Sequence, residues 1–278
     1  IALAYAQGLV ILSIAQGEAQ DVAGAKASVD EMGRLSQTEY KGDREIALLY
    51  AKGLANLTGA QGEAQDLSGA KASIDELRRL SQTEYKGDRE IALEYAQGLA
   101  NLTSAQEEAQ DLSGAKVGIN ELGRLSQTEY KGDRGIALEY ADGLFNLSIA
   151  QGEAQDLAGA KASIDELRRL SQTEYKGDRE IALEYAQGLV ALSIAQALSN
   201  AQGEAKDLSG AKAGIDKLRR LSQTEYKGDR EIALEYAQGL VILSKAQGQA
   251  QDVAGAKAGI DELGRLSQTE YKGDRGIA

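Results

Sequence analysis

Apolar residues mark one face of a helix, then one face of a second helix, and this alternation runs the length of the chain. In "IALEYADGLFNLSIAQ", Ile136, Tyr140, Leu144 and Leu147 recur at spacings of 4, 4 and 3, with Ala137, Ala141 and Ser148 beside them. That period predicts an amphipathic helix, termed helix A. In "DLAGAKASIDELRRLSQTEY", Leu157, Ala160, Ile164, Leu167 and Leu170 recur at 3, 4, 3 and 3. These predict helix B, of roughly 20 residues and about 30 Å. Apolar and polar residues never alternate long enough to predict a strand.

The pair repeats. Ile-Ala returns at Ile1, Ile46, Ile91, Ile136, Ile181, Ile232 and Ile277, a period of 45 residues with one step of 51. Six repeats follow: 1–45, 46–90, 91–135, 136–180, 181–231 and 232–276. A fixed period of this size predicts a stacked array, because one helix pair cannot bury its own apolar faces. The array starts without Met in mid-pattern and stops at the same phase, as a window cut from a longer array would.

One segment, "LSQTEYKGDR", is identical in all six copies, first at 35–44 and last ending at Arg275. It predicts the end of helix B, a tight turn and the start of the next helix A. Gly177 is expected in the left-handed conformation, Lys176 at the negative helix end, and Asp178 as N-cap with Glu180 in the first turn. Recent duplication would explain the identity. So would constraint by the turn and by repeat-to-repeat hydrogen bonds through Gln, Thr and Tyr. The other connection, "AQGEAQD", is expected as an exposed loop, since in the fifth repeat it gains Ala197–Gln202. Glycines inside both helices, such as Gly188 and Gly159, predict close approach of neighbouring helix backbones.

This layout resembles tetratricopeptide repeats. Tyr140, Gly143, Leu144 and Leu147 are similar to the first-helix set of that family, with the Leu-Gly order inverted, and Ala160, Ile164 and Leu167 to the second. "KGDR" replaces the closing Pro, and the repeat is about ten residues longer than the family's. The resemblance implies an all-α, right-handed α-solenoid of antiparallel helix pairs, a superhelix whose first helices line a concave, peptide-binding surface.

Comparing the copies isolates a variable stripe on helix A, four columns spaced 3, 4 and 3 residues apart and expected opposite the apolar face. Its candidate partner-binding members are Glu94, Glu139, Glu184 and Glu235 in the first column and Asp142 in the second. Ile11, Asn56, Asn101, Asn146 and Ile242 stand in the third, and Ile14, Ile149, Ile194 and Lys245 in the fourth. A drifting solvent face is the plain reading. The isoleucines favour a diversified binding surface, which the resemblance would turn toward the groove.

Composition narrows the chemistry. Forty-three acidic against 31 basic residues leave a net charge of −12, which argues against nucleic-acid binding. No apolar run approaches the roughly 18 residues of a membrane span. With no His and no Cys, the usual metal clusters and nucleophile pairs are absent, and no cofactor is expected. Asp165–Glu166 and Arg168–Arg169 read as a solvated, salt-bridged face. "GAKAS" at 159–163 lies inside a helix and lacks a phosphate loop's Lys-Ser. The sequons at Asn56, Asn101 and Asn146 sit mid-helix and read as coincidence. The expectation is a non-enzymatic scaffold binding a protein or peptide along helix A, with a structural filament or elongated surface or extracellular array, associating end to end, as the alternative.

Overall fold

The computed structural model describes residues 1–198, 208–272, 274 and 276. Of the insertion at 197–202, residues 199–202 lie outside the described residues. Among the described residues every regular element is helical. The A helices are α1 (Ala2–Glu18), α3 (Arg44–Glu63), α5 (Arg89–Glu108), α7 (Arg134–Glu153), α9 (Arg179–Leu198) and α11 (Arg230–Gln249). The B helices are α2 (Val22–Arg34), α4 (Leu67–Arg79), α6 (Leu112–Arg124), α8 (Leu157–Arg169), α10 (Leu208–Arg220) and α12 (Val253–Gln268).

The chain forms two compact units, 1–143 and 144–278. In the first, α1, α3 and α5 pack side by side, and each B helix packs on its own A helix. Both α2 and α4 also pack on the A helix of the next repeat. In the second, α9 and α11 lie side by side, α8 and α10 each meet the following A helix, and α12 closes on α11. This is α-solenoid packing: within each unit the helices meet those of their own and the adjoining repeat. The predicted faces form the core: Ile91, Tyr95 and Leu99 of α5 are buried, as are Ile74 and Leu77 of α4 and Ile181, Tyr185 and Leu189 of α9.

The invariant segment is a π-turn followed by a left-handed glycine. After α4, Leu80–Glu84 widens into a π-helical turn closed by Tyr85 N–H donating to the Leu80 carbonyl at 2.8 Å. Gly87 then takes φ +88° and Gly177 +91°. Asp88 accepts from Glu90 and Ile91 N–H as N-cap of α5, and Asp178 does the same for α9. The π-turn carried no sequence signal; its extra residue re-aims the chain toward the next repeat.

Two expectations are corrected. Most of "AQGEAQD" is helical, and the connection is three residues, such as Ala64-Gln65-Asp66. Gln65 takes φ +59°, and the N–H of Asp66 donates back to the Gln61 carbonyl at 2.8 Å. This is a helix-terminating motif normally built on Gly. Burial of Gln61, which accepts from Ser73 Oγ at 2.9 Å, holds the helix end against helix B. The glycines also do something other than bring backbones together. A Cβ at Gly188 would stand 2.3 Å from Ile164 Cδ1, so the glycine seats a side chain of the preceding B helix. At Gly159 it would strike the Asp156 cap carboxylate at 2.2 Å.

Candidate functional site

Side-by-side packing of A helices divides the variable stripe. Its first column faces the neighbouring A helix rather than open solvent. Glu94, Glu139, Glu184 and Glu235 are half-buried, with Glu139 hydrogen-bonded to Gln97 and Glu235 to Gln187 of the preceding repeat. Burial pushes the carboxyls of Glu94, Glu139 and Glu235 above the usual range. Asp142 of the second column is exposed. Burial, with the Asp142 charge adding to it, pushes Glu107 of α5 up to about 8. Thus these acids are partly consumed in holding repeats together.

The third and fourth columns are mixed, exposed at some positions and half-buried at the others. Ile11 is 70% exposed and Ile14 38%. Asn56 is exposed and donates to the Lys52 carbonyl at 2.9 Å. Asn101 reaches across to the Ala55 carbonyl at 3.1 Å. Ile14, Asn56, Gly59 and Asn101 line a shallow depression of about 310 Å³. In the second unit, Ile149, Ala191, Ile194 and Ala195 line an apolar one of about 440 Å³. Asn146 and Ile242 are half-buried, and Lys245 is exposed.

A second surface lies between B helices. In the first unit, Lys71, Ile74 and Arg78 of α4 and Val117 and Glu121 of α6 wall a groove of about 830 Å³ floored by Leu99 and Leu102. Its counterpart in the second unit, about 570 Å³, is lined by Lys161, Ile164 and Asp165 of α8 and Gly214 and Lys217 of α10. Comparing the copies along helix A alone misses these grooves, whose walls are B helices.

The invariant segment works across repeats through Gln, Tyr and Arg, while Thr38 bonds only its own helix, at the Arg34 carbonyl. Gln82 Nε2 donates to Glu121 Oε1 of the next repeat at 2.8 Å, and the Tyr95 hydroxyl donates to the same oxygen at 3.1 Å. Arg124 clasps that carboxylate. The result holds Glu121 down at about 2, mainly through Arg124. Arg44 pairs with Asp88 at 2.5 Å, and Arg179 with Asp229 at 2.5 Å. The Tyr226 hydroxyl reaches back to the Asp178 carbonyl at 3.3 Å. Arg169 pairs with Glu166, and Arg168 with Asp165 at 3.6 Å, the salt-bridged face expected. Among the described residues no three potential ligands gather around a metal position, and no helix is long and apolar enough to cross a membrane.

No protein-family model matches the chain, and no curated protein matches it in sequence. Two solved structures resemble it in fold. A crystal structure of an engineered protein, Northeast Structural Genomics Consortium target OR329, is 22% identical, with 87% of this chain and 89% of that chain covered and a TM-score of 0.53. Another, target OR497, is 21% identical, with 98% of this chain and 60% of that one covered and a TM-score of 0.58. The fold is that of an all-α helical-repeat solenoid.

Proposed function

We propose that this chain is a non-enzymatic scaffold that binds a protein or peptide segment along the A helices, in the manner of tetratricopeptide-like arrays. The observation that carries this reading is the apolar depression of Ile149, Ala191 and Ile194, on helices whose flanking columns are polar. A segment with one apolar anchor between polar residues matches such a surface. Selection from a displayed peptide library provides the test. Selected peptides should lose affinity at least about tenfold against Ile149→Ser/Ile194→Ser, with helical circular dichroism unchanged. Peptides indifferent to that change refute the A-face reading.

A filament is the second reading, favoured by junctions that repeat unchanged: Arg44 closes on Asp88 as Arg179 closes on Asp229. Sedimentation across a concentration series separates the two: fibres support the filament, a monodisperse monomer the binder.

A further inference from the structure

The fifth repeat breaks the carboxylate network described above. Glu76, Glu121 and Glu262 each accept from a tyrosine of their own repeat and a glutamine of the preceding one. At the same position the fifth repeat has Lys217. Three consequences are visible. The Tyr185 hydroxyl is buried with no hydrogen-bond partner among the described residues, on a residue 0% exposed. The acceptor that Gln37 and Gln82 use is missing for Gln172. Among the described residues Arg220 keeps only Glu225, at 3.1 Å, and its side chain is 75% exposed where Arg79, Arg124 and Arg169 are 37–38%. In a chain of net charge −12, α10 carries Lys212, Lys217, Arg219 and Arg220 against Asp216 alone. Lys217 also lines the groove between α8 and α10.

We propose that this position is a receptor for a carboxylate supplied in trans, an Asp or Glu side chain of a protein partner lying in the α8–α10 groove. The other repeats template the ligand. In the second, third and sixth repeats the carboxylate takes one bond each from Gln and Tyr and a fork from Arg, and around Lys217 those donors persist as Gln172 of the fourth repeat and Tyr185 and Arg220 of the fifth. Arg168 and Arg220 lie near the phenol together with Asp165 and Glu225, and Lys217 adds a cation where the others have an anion. A bound carboxylate satisfies the stranded hydroxyl and is charge-assisted. The flexible, exposed Lys217 can swing to admit it. This site is separate from the A-helix face, so either can fail without the other.

The test is anisotropy titration with a dye-labelled peptide of Glu residues among Gly and Ser, against its Gln counterpart, a phosphoserine counterpart and inorganic phosphate as competitor. The Glu peptide should bind, and the Gln peptide should bind at least about tenfold more weakly. Lys217→Glu restores the intramolecular carboxylate, so it should raise Tm while weakening the Glu peptide at least about tenfold. Tyr185→Phe removes the stranded hydroxyl. It should leave Tm equal or higher yet weaken binding several-fold, a combination a merely structural tyrosine would not give. Equal binding by Lys217→Glu and the parent, or by Glu and Gln peptides, overturns the proposal. So does no binding at all, or preference for the phosphoserine peptide or phosphate. Ile149→Ser/Ile194→Ser, which tests the A face, should leave Glu-peptide binding unchanged.

Discussion

Gln37 Nε2 donates to Glu76 Oε1 at 2.8 Å across 39 residues of sequence, and that oxygen also accepts the Tyr50 hydroxyl at 3.1 Å. One carboxylate therefore ties a B helix to its own A helix and to the preceding repeat. Isolated surface ion pairs contribute little, but this one is partly buried and fully engaged, so removing it strands several donors at once.

Stability should fall in acid. The carboxyls of Glu121 and Glu262 are held at about 2, first by their arginine partners. Because their folded values lie below the unfolded one, near 4.5, their contribution is complete above that pH and lost as pH falls through about 2. Urea melts from pH 5 to 2 should show this loss, and Glu121→Gln should flatten it. The same substitution should cost on the order of 1–3 kcal/mol at pH 7. An unchanged acid limb contradicts the network's role.

Glu107 acts with the opposite sign. It stands in a column that reads Gly17, Gly62, Gly152 and Gly248 in other repeats, its Oε1 is buried without a partner among the described residues, and its carboxyl is pushed up to about 8. The raised value makes the charged form costly, fully so above about pH 8, and the cost fades as pH falls toward 4.5. Glu107→Gln should raise Tm at pH 8 by on the order of 2–4 °C. It should also remove the parent's gain in Tm between pH 8 and 5. No difference between the two proteins at pH 8 contradicts the assignment.

The two turns should respond oppositely to exchange of glycine. Gly87→Ala places a side chain at φ +88° and should cost about 1–2 kcal/mol. Gln65→Gly relieves a side chain at φ +59° and should stabilise by up to about 1 kcal/mol. Chemical denaturation of the pair is decisive: a shared sign contradicts the turn assignment.

Glycine inside helix A should matter only where a B helix covers it. Gly188→Ala meets Ile164 Cδ1 and should destabilise by about 1–3 kcal/mol. Gly8→Ala, with nothing within 4 Å of the added Cβ, should stabilise by up to about 1 kcal/mol. Parallel thermal melts compare them.

The helix pairs and the left-handed glycine before the Asp cap were legible, because each rests on local periodicity or backbone chemistry. The left-handed glutamine was not. Gln65 has no intrinsic preference for positive φ, and it is forced there by the buried Gln61 and the Asp66 cap on either side. The π-turn at Leu80–Glu84 was hidden for a similar reason, since "LSQTE" extends an α-helix equally well by propensity. The stripe's half-buried first column appeared exposed because a single helix, read alone, does not reveal that its flank lies against the next A helix. The glycines of helix A were recognised as packing devices, but the atom they admit, Ile164 Cδ1 at Gly188, belongs to an element twenty-odd residues away in sequence.

The reciprocal reach of "LSQTEYKGDR" makes each copy interchangeable. Arg44 closes on Asp88 just as Arg179 closes on Asp229, so a repeat transplanted from one place to another meets the same complement. Recombination can lengthen or shorten such an array by whole cassettes without inventing a new joint. A lone change within one copy, by contrast, orphans groups in the adjoining one.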